Sequence, residues 1–276
     1  MNNLPGISIV GCGWLGLPLA KVLVKKGHIV KGTTTSSEKL PILQNSGIEP
    51  YLVHFQPQSS VLNMELLNTD VLVINVPPGR RSEDGADNYR SMANYFCGRI
   101  PQSSIRKIIL VSSTSVYNDT NQLINESDRH YPKTAAGQLL QDVENQFLAL
   151  ENKQVIILRP CGLIGPGRHP SRFFRNKTEI PNGLAPINLV HLDDVIGMIV
   201  KLIGYDSAAG VYNCCSTSHP AKQEFYSLAA KKAGGDVPDF VSEKKFWKII
   251  ESSRTQAELN YQFKYPDLLE WLKIDE

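Results

Sequence analysis

No two of the five cysteines are spaced Cys-x-x-Cys, and their number is odd, so neither a zinc ribbon nor a disulfide framework is expected. Small buried thiols in a reducing cytoplasm are the expectation, with the adjacent pair Cys214-Cys215 as the one candidate for redox chemistry. The six histidines show no His-x-His or His-x-x-x-His spacing, so no metal site is expected. No apolar run reaches the ~18–20 residues that a bilayer span needs. The apolar N-terminus lacks a basic leader and carries Pro5, Gly6, Gly11, Gly13 and Gly16, which argues against a signal peptide. Net charge is nearly absent: 29 basic and 27 acidic residues leave +2. With no block of like charge, neither nucleic acid nor an anionic membrane is expected as a partner. Ser112-Ser113 is not set in a Gly-x-Ser-x-Gly elbow, so a serine hydrolase is not expected.

What is present is an ordinary globular composition, 42% apolar and 20% charged over 276 residues, enough for a sizeable core. Short β-branched runs alternate with helical patterns through the first two-thirds. Strands are expected at 7–10, 28–33, 49–54, 70–76, 107–112 and 155–159, with helices between them, near 87–98 and 134–151 among others. Continuous apolar strands joined by helical crossovers predict an α/β fold: a Rossmann-type doubly wound parallel sheet covered on both faces. After about Gly165 the alternation changes. A loop, a helix near 193–203, a strand at 211–214 and helical segments near 223–233, 246–252 and 266–272 follow. The expected division is a dinucleotide-binding domain over 1–165, rejoined by 187–215. A smaller C-terminal substrate or lid subdomain is expected from 166–186 and 216–276.

Gly11-Cys12-Gly13-Trp14-Leu15-Gly16 matches Gly-x-Gly-x-x-Gly directly after a buried strand and opens an amphipathic helix, the context the motif requires. Gly11 permits the tight turn, Gly13 lets a pyrophosphate approach the backbone, and Gly16 lets helix and strand pack closely. Trp14 and Leu15 complete this cofactor-binding turn. The helix N-terminus adds free N–H groups and partial positive charge. Sites for NAD carry Asp or Glu about 20 residues on, to bind the ribose 2′-hydroxyl. That position falls at about Thr34, and the first carboxylate is Glu38. Thr34, Thr35, Ser36 and Ser37 offer hydroxyls and Lys39 a counter-charge, so NADP is expected over NAD. The competing reading is that these hydroxyls cap the helix that starts near Glu38.

In order along the chain stand the Gly11–Gly16 turn, Val111-Ser112-Ser113-Thr114-Ser115-Val116-Tyr117, Leu158-Arg159-Pro160 through Gly165-Pro166-Gly167-Arg168, Ile187 through Val195, Gly210-Val211-Tyr212-Asn213 and Tyr261 through Pro266. This series resembles the extended short-chain dehydrogenase/reductase superfamily, of the NAD-dependent epimerase/dehydratase type. The resemblance implies that Ser113 hydrogen-bonds the reacting oxygen of the substrate. It places Val76-Pro77-Pro78 where the chain passes the cofactor, and the 159–167 turn beside the nicotinamide, with Ile164 where a Tyr is common. It treats His191–Asp194 as more often structural. Dimers built on paired helices are frequent in the family, so a homodimer is an expected assembly.

One departure is specific. The family's general acid/base is a Tyr followed four residues later by a Lys, and a Glu usually follows that Lys by four. Counting back from Glu144 puts Leu140 at the Lys position and Ala136 at the Tyr position, and no other register nearby restores the pair. Tyr117 is a substitute candidate, weighed against a packing role. Arg168 and His169 lie in a loop expected to meet substrate, and Arg80-Arg81 follow Pro78-Gly79 where an anionic ligand could reach them. Two functions are thus expected. One is an oxidoreductase of epimerase/dehydratase or reductase type, acting on a small polar, sugar- or nucleotide-linked molecule. The other is a catalytically silent NADP(H)-binding sensor or regulatory protein.

Overall fold

The computed structural model describes residues 4–56, 64–79, 84–128 and 131–274. Along the chain stand β1 (Ile7–Val10), α1 (Gly16–Lys25), β2 (Val30–Thr34), α2 (Leu40–Asn45), β3 (Glu49–Leu52), β4 (Val71–Ile74) and α3 (Gly85–Arg99). Then follow β5 (Lys107–Val111), β6 (Gln122–Ile124), α4 (Ala135–Leu148), β7 (Gln154–Pro160), β8 (Gly162–Ile164), β9 (Leu189–His191) and α5 (Leu192–Gly204). The chain closes with β10 (Gly210–Cys214), α6 (Lys222–Lys232), β11 (Lys248–Ile250), α7 (Ser253–Leu259) and α8 (Leu268–Ile274).

Seven strands form one sheet in the order β10-β7-β5-β4-β1-β2-β3, and pairing from β7 across to β3 is parallel. β1, β4 and β5 are buried along their whole lengths, as continuous apolar strands covered on both faces must be. The sheet is the Rossmann-like α/β architecture expected from the sequence. β1 pairs with both β2 and β4, so Ile9 lies opposite Gly32 on one side and Val73 on the other. The strand order reverses here, and ligands of such sheets bind at the carboxyl ends of the strands at this switch point.

Local chemistry sets the first crossover. Leu19 and Leu23, four residues apart, are fully buried on one face of α1. The helix stops at Gly27, whose φ of +91° few other residues tolerate. The N–H of His28 then bonds the carbonyl of Leu23, and that of Gly27 the carbonyl of Val24, which closes the helix end. At the start of β5 the buried Lys107 Nζ donates to the carbonyls of Leu202, Ile203 and Tyr205. It thereby satisfies the C-terminal end of α5, where cationic charge is favoured.

The chain divides into two compact units. The first comprises Met1–Val116, Pro132–Leu158 and Ile199–Val211, and the second Tyr117–Tyr131, Arg159–Met198 and Tyr212–Glu276. This differs from the division read from sequence in three places. Residues 117–131 and 159–165 belong to the second unit, and the segment that returns to the first is 199–211. Residues 117–131 join the second unit through one short pairing: β6 pairs with β11, Gln122 opposite Lys248 and Ile124 opposite Ile250. The 246–252 stretch, expected to be helical, therefore contains a strand. Its apolar pair Ile249-Ile250 is too short for periodicity to separate helix from strand, and β-branching favours the strand.

The second unit has its own core. Phe225 and Tyr226 of α6 meet Trp271 and Leu272 of α8, with Ile164, Ile187 and Leu189 beneath them. The buried Asp194 carboxylate accepts the main-chain N–H groups of Lys264 (2.6 Å) and Tyr265 (3.1 Å) and the Tyr261 hydroxyl (3.0 Å). Asp193 pairs with Lys264 at 2.5 Å.

Candidate functional site

The Gly11–Gly16 turn sits at the carboxyl end of β1, and each glycine is required for a different reason. Gly11 has φ of +99°, and a Cβ there would stand 2.6 Å from the carbonyl oxygen of Asn75 at the end of β4. A Cβ on Gly16 would collide with the carbonyl oxygen of Gly11, so α1 can leave the turn only from a glycine. Gly13 is the reverse: nothing lies within 4 Å of its absent side chain, and the residue is exposed. The turn thus presents open backbone at its middle glycine and packs tightly at its outer two, which is what a pyrophosphate cradle needs. Trp14 is half-buried beside this opening, and Leu15 is buried and leads into α1.

Two residues that sequence reasoning passed over hold the turn. The N–H of Gly11 donates to Thr33 Oγ1 at 2.8 Å, and Asn75 Nδ2 donates to the Gly11 carbonyl at 3.2 Å. Their signal was present: each is a polar residue at the end of a strand that flanks β1. Cys12 is buried below the turn, and burial pushes its thiol up to about 12, so it is not a thiolate at neutral pH.

At the end of β2, Thr34 is buried, and its Oγ1 accepts the N–H of Ser36 at 3.2 Å. Thr35 is exposed, and Ser36 makes no side-chain cap to the 3₁₀ turn Ser37–Lys39 that follows. The competing reading of Ser36 as a helix cap is therefore corrected: Thr34 orders the turn, and the Ser36 hydroxyl is left out of the capping. No carboxylate stands at the strand end. At β4 the chain leaves through Val76, Pro77 and Pro78, with Pro77 exposed and Val76 and Pro78 half-buried. Val76 Cγ2 would stand 3.4 Å from a Cβ on Gly11, which places it against the turn. Arg80 and Arg81 lie outside the described residues.

Ser113 follows β5 and is half-buried, and its Oγ accepts the N–H of Ser115 at 3.1 Å. Its neighbour Ser112 points the other way, and its Oγ donates to the buried Glu144 of α4 at 2.5 Å. Glu144 is therefore a fixed register mark between α4 and β5. Gly137 brings α4 down on the 114–116 turn, since a Cβ there would stand 2.9 Å from the Ser115 carbonyl oxygen. In this register Ala136 is half-buried and Leu140 is buried at 2% exposure.

Tyr117 belongs to the second unit. Its hydroxyl accepts from Arg159 Nη1 at 2.8 Å and donates to Asn213 Oδ1 at 3.0 Å. Burial pushes the phenol up, partly offset by the Arg159 guanidinium. Arg168 is exposed in the loop after β8, while His169 N-caps a 3₁₀ turn through its ring and lies against Trp271.

No protein-family model matches the chain. Over 269 residues, 95% of this chain and 97% of the other, it is 39% identical to Protein YeeZ of Escherichia coli strain K12. The chain belongs to the YeeZ family. Among solved structures it is similar to UDP-glucuronic acid 4-epimerase from Bacillus cereus in complex with NAD. There the TM-score is 0.80, the identity 18%, and the match covers 97% of this chain and 96% of that one. The UDP-N-acetylglucosamine 4-epimerase from Bacillus cereus gives 0.78 at 18% identity, over 97% and 94%. The YeeZ-family chain therefore shares the fold of NAD-dependent epimerases.

Two further expectations meet the structure. Cys161 and Cys215 form a disulfide, with Cα atoms 5.2 Å apart, so the reading of all five cysteines as free thiols is corrected. The partner of Cys215 is distant in sequence, not its neighbour Cys214. Cys12, Cys97 and Cys214 are free. Among the described residues no helix is long and apolar enough to cross a membrane, and no cluster of three His, Cys, Asp or Glu is arranged to hold a metal ion.

Proposed function

We propose that this YeeZ-family chain binds a nicotinamide dinucleotide at the Gly11–Gly16 turn, NADP(H) in preference to NAD(H). We assign it the work of an epimerase/dehydratase-like or reductase-like oxidoreductase on a small polar, sugar- or nucleotide-linked substrate. The observation that carries the reading is the contrast within the turn: backbone contact at Gly11 and Gly16, open space at Gly13. The residues fit the group. Gly13 and the start of α1 would face the pyrophosphate. Thr34, Thr35 and Ser36 would face the adenosine ribose, where no carboxylate repels a 2′-phosphate. Val76-Pro77-Pro78 would line the path of the cofactor. When bound, the nicotinamide supplies hydride transfer.

The solved relatives support the substrate class, since they are named for UDP-sugars and one is held with NAD. Ser113 is the residue we assign to the substrate's reacting oxygen, with Arg168 and His169 as substrate contacts. Tyr117 has its hydroxyl engaged by Arg159 and Asn213, which supports a framework role over that of acid. A second reading, a catalytically silent NADP(H) sensor, is favoured by one observation: Leu140 is buried where a Lys would sit beside the acid.

Thermal melting with NADP, NADPH, NAD and NADH tests the proposal. A ligand present at ~100 times its dissociation constant adds about 2.7 kcal/mol. The expected order is NADP(H) above NAD(H), and no shift with any of the four would reject both readings. A shift without turnover against nucleotide sugars or carbonyl compounds selects the sensor.

A further inference from the structure

The second unit holds a cavity of about 1040 Å³ that shares no residue with the dinucleotide turn. One wall is the segment that follows the loop after β8. It runs as a 3₁₀ turn over Pro170–Arg172, with His169 as its N-cap. His169, Arg172 and Arg175 all line the cavity. The phenylalanines between them anchor the segment instead. Phe174 packs edge-on against Tyr226 at 4.7 Å and against Phe240 at 5.6 Å, and Phe173 lies 6.0 Å from Tyr226. The sequence thus writes a cationic lining and an aromatic anchor into the same seven residues.

The cations of the cavity differ in what occupies them. Lys232 Nζ donates to the carbonyls of Leu272 and Lys273, at 2.5 and 2.9 Å, and so caps α8. Lys273 pairs with Glu270 at 2.5 Å. Arg172 and Arg175 are exposed, and neither guanidinium has a hydrogen-bond or ion-pair partner among the described residues. Asp236 is the one carboxylate among the described lining residues. The His169 ring meets the hydroxyl (2.7 Å) and the main-chain N–H (3.3 Å) of Ser171 at Nδ1. In a chain whose net charge is only +2, this is a local concentration of unspent positive charge in a concave site.

We propose that this cavity is an anion site for a phosphoryl-bearing ligand, held by the paired guanidiniums of Arg172 and Arg175 with His169 beside them. Planar guanidinium groups match phosphoryl oxygens two at a time, which lysines cannot do. The volume lies at the upper end of ligand pockets, roughly 300–1,000 Å³, so a diphosphate with an organic substituent fits. The site rests on and deepens the proposed substrate reading, since His169 is also assigned there to substrate contact, while its two arginines play no part in the dinucleotide site.

The test is calorimetric titration of inorganic pyrophosphate into the Gly13→Val protein, whose turn has no room for a pyrophosphate, and into Arg172→Gln, Arg175→Gln and the double variant made in that background. Saturable binding with one site per chain is expected. It should weaken about tenfold with each arginine lost and vanish in the double variant, with the melting temperature unchanged. Absence of saturable binding to the Gly13→Val protein, or binding undiminished in the double variant, would overturn the proposal. NADP(H) melting shifts, read on the chain with both arginines and Gly13 intact, judge the dinucleotide reading separately.

Discussion

The N–H of Gly11 donates to Thr33 Oγ1 at 2.8 Å, so the start of the glycine-rich turn is pinned from β2 rather than from its own helix. Asn75 pins the carbonyl of the same residue from β4. The turn is therefore held between the two strands that flank β1, at the point where the strand order reverses. Its shape is set before any ligand arrives, and preorganisation of this kind lowers the cost of binding.

Gly11 and Gly13 should separate stability from binding. Gly11→Ala places a Cβ against the Asn75 carbonyl at positive φ, and should cost about 2–4 kcal/mol of stability. Gly13→Val adds a side chain into open space and should change stability by no more than about 0.5 kcal/mol. It should nonetheless lose dinucleotide affinity by more than about tenfold, as the pyrophosphate path is closed. Denaturant melts and nucleotide titrations on the two variants check this. A Gly13→Val protein that binds NADP(H) normally would remove the turn from the site.

Cofactor preference rests on Thr34. Its Oγ1 already accepts the N–H of Ser36, an interaction that an Asp carboxylate can keep. Thr34→Asp should therefore fold, repel a 2′-phosphate and accept a ribose 2′-hydroxyl. The expected outcome is a reversal of preference, with the ratio of NAD to NADP affinity rising by about two orders of magnitude. An unchanged ratio would show that the β2 end does not face the ribose.

Strands β1, β4, β5 and β7 were legible in the sequence because strands buried on both faces must be apolar along their length, so composition alone marks them. The Gly11–Gly16 turn was legible because each glycine answers a steric demand. β6 and β11 were not, since a three-residue pair carries too little pattern and its partners are 126 positions apart (Gln122 with Lys248). The roles of Thr33 and Asn75 depend on which strands neighbour β1, a fact of topology rather than of spacing. Cys161 and Cys215 lie 54 positions apart and meet only once β7 and β10 are in place.

Ser113 and Tyr117 should part under substitution. Tyr117→Phe leaves Arg159 and Asn213 without their shared partner inside the second unit, and should cost about 1–3 kcal/mol of stability. Ser113→Ala touches only the N–H of Ser115 and should leave stability nearly unchanged. If the chain turns over a nucleotide sugar, Ser113→Ala should reduce kcat about 100-fold or more. Tyr117→Phe should leave kcat within a few-fold once both proteins are compared well below their melting temperatures. Loss of kcat in Tyr117→Phe with full stability would make Tyr117 the acid after all.

The disulfide gives a stoichiometric prediction. The unfolded, unreduced protein should titrate three thiols, those of Cys12, Cys97 and Cys214, and five after reduction. Closing a loop of this length constrains the unfolded chain by roughly 4 kcal/mol in the entropic account. Cys161→Ser/Cys215→Ser, or a reducing agent, should accordingly lower the melting temperature. The bond lies where β7 passes into β8, and the main-chain N–H of Cys161 already donates to the Cys214 carbonyl at 2.9 Å. The two segments are therefore held together without the sulfurs, and the reduced protein should keep its fold and its dinucleotide affinity. Five titratable thiols in the unreduced protein would show the cysteines to be merely adjacent. A loss of nucleotide binding on reduction would show that the bond does more than restrain the unfolded chain.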